Sequence, residues 1–232
     1  RFGYVCSARL CVKLANKVIA VSKYEYKGLL RFIKEKKLVL IYNLISSDFK
    51  KSKDRNQANP RNKILTISNI DNTYYRRKGL DTFIKAAIDL PHYNFIIVGK
   101  DSGDGTSEII KNSSPPNLKY LGYIDNKSLV QILNETKVYC QLSRQEGFGV
   151  ALGEAMLMGC MPVVSAKGSI PEVAGPDAFY INEKRNPEMV AALINKAMSR
   201  NDKLADIYVE RVKKLFHPII RKKKIISLID KL

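Results

Sequence analysis

The chain has 232 residues, 45% hydrophobic and 27% charged, with 40 Lys+Arg against 22 Asp+Glu and a formal net charge of +18. A chain of this length buries roughly 70% of the surface its unfolded form exposes, which excludes disorder and collagen-like repeats and fits one large or two small domains. No apolar run approaches the ~20 residues needed to cross a bilayer and no signal-peptide core opens the chain, so the protein reads as cytoplasmic, with peripheral contact at the inner face of a membrane as a further expectation.

The chain starts inside a patterned segment without an initiating Met, as a piece cut from something longer would. Lys17 to Ser22 reads as a buried strand, Tyr24 to Ile33 as a helix and Leu38 to Tyr42 as another strand. Asn43 to Asn62 turns polar and basic without periodicity, as an interdomain linker does. From Lys63 onward, strands alternate with helices. Strands are expected at Ile64 to Ser68, Phe95 to Gly99, Leu118 to Leu121, Lys137 to Leu142 and Met161 to Ser165. Helices are expected at Leu80 to Leu90, Glu108 to Lys111, Lys127 to Asn134, Val150 to Met158 and Pro187 to Arg200. Such alternation implies an α/β fold, a doubly wound parallel sheet with flanking helices. Ligands bind at the carboxyl ends of strands in these sheets, so the residues after Ser68, Gly99, Leu121 and Leu142 are the ones to watch.

Cys6, Cys11, Cys140 and Cys160 have no Cys-x-x-Cys spacing, and with only His92 and His217 beside them they read as reduced packing residues rather than a zinc site. The basic excess points to an anionic partner: nucleic acid, a membrane surface or a phosphorylated small molecule.

The most informative segment is Ser143-Arg-Gln-Glu146-Gly147-Phe148-Gly149-Val150 and the apolar helix that carries Glu154 to Gly159. Glycines on either side of Phe148 let backbone approach a ligand, and the helix beginning near Val150 aims unpaired amides at it, a natural place for a diphosphate. Glu154 lies about one turn into the helix, where a carboxylate can accept two hydrogen bonds from a ribose diol. The plainer reading makes Glu154 an exposed carboxylate near the positive end of the helix dipole, and the glycines a tight turn.

Glu146-Gly-Phe-Gly with Glu154, followed by Gly159, Pro162-Val-Val and Gly168-Ser-Ile-Pro171-Glu172, resembles the retaining glycosyltransferases of family 4, which have the two-domain GT-B fold. Lys78-Gly-Leu-Asp, Ile97-Val-Gly99, Leu121-Gly-Tyr123 and Ala15 to Ser22 fit the same pattern. The resemblance implies that residues 63–200 form the carboxyl-terminal, Rossmann-like nucleotide-sugar domain. Residues 1–62 are then the tail of the acceptor domain with the linker, and residues 201–232 are terminal helices that cross back to the first domain. It further implies that Glu154 holds the donor ribose, that Glu146 lies at the donor sugar, that the amides of Gly147 to Val150 surround the diphosphate and that Lys78 contacts the phosphates. Tyr123 and its neighbours border the base, by stacking or by simple packing.

The family usually carries Gly-Arg after the first strand of this domain, where this chain has Ser68 and Asn69. Either Arg76 or Arg77, in the segment Asp71 to Arg77 read as a long loop, takes over the phosphate contact, or both are surface charges. The resemblance implies a nucleotide-sugar donor, a glycan or lipid-linked acceptor and front-face displacement with retention. No cofactor or metal is expected, since Asp101-Ser-Gly-Asp104 is misspaced for a metal motif and reads as a turn. Ile219 to Asp230 sets apolar residues at helical spacing around four cations, which suits docking on the protein itself or contact with an anionic membrane. The alternatives are a basic nucleic-acid-binding module, although no such motif is present, and a donor-binding fragment inactive without the rest of the enzyme.

Overall fold

A computed structural model of the chain describes residues 11–12, 14–49, 61–181 and 186–231. Residues 50–60, most of the expected polar and basic linker, and Cys6 lie outside the described residues.

Two short parallel strands, β1 (Val18–Ala20) and β2 (Leu38–Leu40), pair in register through Val18↔Leu38 and Ala20↔Leu40. Between them runs α1 (Lys23–Leu29), started by Ser22, whose hydroxyl accepts the Glu25 N–H at 3.1 Å. The helix stops well short of Ile33, because the chain turns back at Leu29 and buries Ile33 instead.

The main sheet has the order β5-β4-β3-β6-β7-β8, all parallel. Its strands are β3 (Lys63–Ile67), β4 (Asn94–Val98), β5 (Leu118–Tyr120), β6 (Thr136–Gln141), β7 (Met161–Ser165) and β8 (Phe179–Ile181). Every residue of β7 and all but one of β6 are buried, as expected of strands covered on both faces. The strand order reverses between β3 and β6, so their carboxyl ends open the crevice of a doubly wound fold.

The covering helices are α2 (Asn72–Arg77), α3 (Leu80–Asp89), α4 (Thr106–Ser113), α5 (Asn126–Glu135), α6 (Val150–Leu157), α7 (Ile170–Ala174), α8 (Pro187–Met198), α9 (Ala205–Phe216) and α10 (Pro218–Ile229). The segment expected as a loop from Asp71 to Arg77 is mostly α2, because the Asp71 carboxylate accepts the Tyr74 N–H at 2.7 Å and so nucleates a turn. Helix α7 and strand β8 were not expected; five and three residues are too few to show a period.

The beginning of the expected linker is not a solvated tether. Ile45 and Phe49 are 1% and 2% exposed, and the Ile45 N–H donates to Phe216 O at 2.9 Å. Arg221 in α10 donates to Ile41 O at 3.0 Å and Tyr42 O at 2.7 Å, so the chain's last helix rests against the first segment. Tyr42, Phe148 and Phe216 pack their rings edge-on or tilted, with centroids 5.3–6.1 Å apart, joining that segment, the turn before α6 and the end of α9 in one aromatic cluster.

Candidate functional site

Strand β3 delivers Ser68 and Asn69 to the crevice. A Cβ on Gly99, after β4, would stand 1.6 Å from Ser68 O, so only glycine lets these two strand ends lie side by side. Asn69 is exposed there, and Tyr123, beyond β5, is 76% exposed. Among the described residues no hydrogen bond ties either side chain to the groups described next.

Lys78 terminates α2, its N–H bonded to Tyr74 O at 2.7 Å. The Arg144 N–H donates to Arg77 O at 2.8 Å, which fastens the end of α2 to the loop leaving β6. This pairing brings Lys78 Nζ to 2.5 Å from Glu146 Oε2, with the two side chains only 15% and 17% exposed. Two further donors meet the same oxygen: Gln141 Nε2 at 3.0 Å and Ser143 Oγ at 3.4 Å. Arg77 stacks its guanidinium 4.3 Å from the Tyr74 ring, and its buried Nε has no hydrogen-bond partner among the described residues. The expected site residues Lys78, Glu146 and Arg77 are therefore neighbours.

The backbone of Glu146 is held from the other side. Ser169 donates to Glu146 O through its N–H at 3.1 Å and its hydroxyl at 3.0 Å, and Gly168 has a φ of +60°, where a Cβ would stand 2.5 Å from Glu146 O. Gly149 caps α6 at a φ of +89°, a conformation glycine adopts freely. The first amide of the helix to find a backbone partner is that of Gly153, 3.2 Å from Gly149 O. Among the described residues the N–H groups of Val150, Ala151 and Leu152 have no backbone partner, as at any helix start, which leaves them available to a ligand. Phe148 is 4% exposed in the aromatic cluster, so this residue can offer a ligand only its backbone.

Glu154 is partly buried in α6, and among the described residues its carboxylate has no hydrogen-bond partner; burial pushes its pKa up to about 7. Burial raises the Tyr139 hydroxyl well above its ordinary value, and the charges of Glu146 and Glu154 push it further. A half-buried acid without a partner is costly to ionise unless a ligand donates to it.

Several residues at this site were given no role by the sequence alone. Gln141, Ser143 and Tyr139 support Glu146 from β6 and its carboxyl end. Glu172 accepts the Lys23 and Tyr24 N–H groups at 2.7 and 2.8 Å and the Tyr42 hydroxyl at 3.1 Å, so an acid in α7 caps α1 of the first segment. Glu25 of α1 reaches the site turn, where a Cβ on Gly147 would stand 2.6 Å from Glu25 Oε1. The one available signal was polarity: Gln141 interrupts an apolar strand, and a buried amide must find partners.

The Asp101 to Asp104 segment is a turn. Asp101 accepts the Gly103 N–H at 2.9 Å and Asp104 the Asn72 and Thr106 N–H groups at 2.9 and 3.1 Å, bonds that bring the Asp104 carboxyl down to about 2. Among the described residues no cluster of three His, Cys, Asp or Glu could hold a metal ion, and no helix is long and apolar enough to cross a membrane. Cys140 and Cys160 are buried thiols.

The family model of glycosyl transferases group 1 matches residues 48–215. A Klebsiella pneumoniae protein described as a 41.2 kDa protein in the cps region is 30% identical over 181 residues, covering 73% of this chain and 48% of its own. The O-antigen chain mannosyltransferase B of Escherichia coli is 31% identical over 81 residues, 35% of this chain and 21% of its own. Among solved structures, sucrose-phosphate synthase of Thermosynechococcus elongatus superposes with a TM-score of 0.85 at 19% identity, over 100% of this chain and 62% of its own. HepE of Anabaena, solved with UDP and glucose, gives 0.81 at 19% identity, over 96% and 65%. The chain thus spans about half the length of the Klebsiella relative and under two thirds of these two solved chains. The sheet order, the strand-end crevice and these likenesses give it the Rossmann-like fold of GT-B glycosyltransferases. With the family model matched over well more than half of its residues, the chain belongs to the glycosyl transferases group 1 family.

Proposed function

We propose that this chain carries the donor-binding half of a retaining glycosyltransferase of family 4, which moves a sugar from a nucleoside diphosphate to a glycan or lipid-linked acceptor in polysaccharide or glycoconjugate synthesis. The observation that carries this reading is the crevice where Lys78 meets Glu146, just ahead of α6, whose half-buried Glu154 has no hydrogen-bond partner among the described residues. On this reading the amides of Gly147 to Val150 grip the diphosphate, Lys78 and Arg77 add positive charge, Glu154 takes the ribose hydroxyls and Glu146 takes the sugar. Asn69 and Tyr123 border the nucleotide. Residues 63–200 are the donor domain, residues 1–62 the tail of the acceptor domain with the linker, and residues 201–232 terminal helices that cross back to that first domain.

As the sugar–phosphate bond breaks, negative charge builds on the departing diphosphate, and cations and amides fixed there lower the barrier. The acceptor oxygen bonds to the anomeric carbon from the same face and gives its proton to the leaving phosphate oxygen. Neither a metal nor a cofactor is needed for that step, so a chelator should leave activity intact. The named activities of relatives support the acceptor class: an O-antigen chain mannosyltransferase, and a GDP-mannose-dependent phosphatidylinositol mannoside mannosyltransferase of Corynebacterium glutamicum that is 23% identical over 129 residues. A lipid-linked acceptor would suit a basic protein working at the inner membrane surface.

The test is a thermal-shift screen of the chain with UDP-, GDP- and ADP-sugars, since ligand at 100 times its Kd adds about 2.7 kcal/mol. A saturable shift with one nucleotide, reduced in Glu154→Gln, is expected. Salt-sensitive binding of unrelated polynucleotides with no nucleotide-sugar binding would overturn the reading.

A further inference from the structure

Glu146 is gripped on one oxygen only. Lys78 Nζ, Gln141 Nε2 and Ser143 Oγ all converge on Oε2, and among the described residues Oε1 has no hydrogen-bond partner. A carboxylate can only accept, so the end of the Gln141 amide facing it must be its NH2. Gln141 is 4% exposed, and its other end is set as firmly: the Tyr139 hydroxyl, on a residue with no exposed surface, donates to Gln141 Oε1 at 3.1 Å. If the amide turned over, two lone-pair oxygens would meet across the 3.0 Å gap to Glu146. Ser143 stands in the same chain, accepting from Gln141 Nε2 at 2.8 Å while its own carbonyl takes the Ser165 hydroxyl at 2.5 Å.

We propose that Gln141, keyed by Tyr139, is the positioning residue that clamps Oε2 of Glu146 and so presents Oε1 to a hydroxyl of the donor sugar. Lys78 alone would not accomplish this, because an ammonium is a flexible point charge that follows a carboxylate through its rotamers. The amide, buried in β6 and bonded at both ends, fixes a direction. A polar side chain deep in a parallel strand carries a desolvation cost that an aliphatic residue would avoid, and the directed carboxylate is what that cost secures.

The inference rests on the proposed donor reading, and its test separates the two. Calorimetric titrations of the intact chain with UDP and UDP-glucose, and with GDP and GDP-mannose, give the affinity that the sugar adds to each nucleoside diphosphate. Gln141→Leu, close in volume, should reduce the sugar's added affinity about tenfold while the affinity for the bare diphosphate stays within twofold. Tyr139→Phe should cause a smaller loss of the same kind, and no further loss in the Gln141→Leu background, because the key has nothing left to hold. Equal weakening of sugar-nucleotide and bare nucleotide, or additive losses in the double variant, would show a merely structural role and overturn the inference. Should the Gln141→Leu chain fail to fold, the Tyr139→Phe titrations decide by the same ratio. A wild-type chain that binds no nucleotide overturns the donor reading itself, and the inference with it.

Discussion

Lys78 Nζ lies 2.5 Å from Glu146 Oε2 across a sequence separation of 68 residues, and the pair exists because the strand order reverses between β3 and β6. The element after β3 ends on the lysine and the turn after β6 carries the glutamate. Removing the lysine leaves a largely buried carboxylate with only neutral donors. Lys78→Met should therefore lower stability by about 1–3 kcal/mol, less than for a fully enclosed pair because both groups retain some exposure. The midpoint and slope of urea unfolding, with Lys78→Arg as a control that keeps the charge, measure this.

Glu154 should make stability and binding depend on pH in opposite directions. Its carboxyl holds a proton more tightly in the fold, with a pKa of about 7, than at its ordinary value of 4.5. The contribution is thus fully present below about pH 4.5 and is lost as the pH rises through 7. Glu154→Gln should be more stable than the wild type at pH 8, by about 1–2 kcal/mol after allowing for the part open to water, and indistinguishable at pH 4. On the proposed donor reading, a ribose diol donating to the carboxylate favours its ionised form. The affinity for UDP-glucose, whose diphosphate does not titrate in this range, should consequently rise from pH 6 to pH 8 in the wild type and stay flat in the variant.

Gly168 admits no side chain. Its φ of +60° disfavours any Cβ, and the atoms a Cβ would meet, Glu146 O at 2.5 Å and Glu146 N at 2.8 Å, are backbone that cannot swing aside. Gly168→Ala should cost about 2–4 kcal/mol and, on the proposed reading that sets Glu146 at the donor sugar, weaken nucleotide-sugar binding, since it pushes on the Glu146 backbone. Thermal unfolding compared with Gly28→Ala, where a Cβ would meet nothing within 4 Å, supplies the check.

The Glu172 carboxylate joins α7 to the first segment through the Lys23 and Tyr24 N–H groups and the Tyr42 hydroxyl. Glu172→Ala deprives α1 of this cap from outside its own chain segment. Hydrogen exchange at the Lys23 and Tyr24 amides should quicken about tenfold or more, while amides in β6 and β7 stay protected. Uniform acceleration throughout the protein would mean that the carboxylate serves global stability rather than the joint between the two parts.

Alternation of apolar strands with amphipathic helices was enough to read the doubly wound sheet, because buried parallel strands must be apolar on both faces and each crossover must hide one face of a helix. Strands β3 to β7 were therefore legible to within a residue or two, as were the Glu146 turn and α6, whose glycines and lone acid stand out locally. Elements defined by a few residues were not: α2 was mistaken for loop because its start depends on one carboxylate cap, and β8 is too short to show a pattern. The buried role of Ile45 was also hidden, for its place against Gly153, where a Cβ would meet it at 2.4 Å, depends on a helix over a hundred residues away.

Residue types and their periods were thus sufficient for the architecture and for which stretches carry the chemistry, since both follow from nearest-neighbour sterics and burial. Which groups meet was settled only when strands distant in sequence lay side by side. Gln141 behind Glu146, Lys78 before it and Glu172 across to Tyr42 are matters of strand order and register, and hydrogen bonds, being short and directional, form only once those are set.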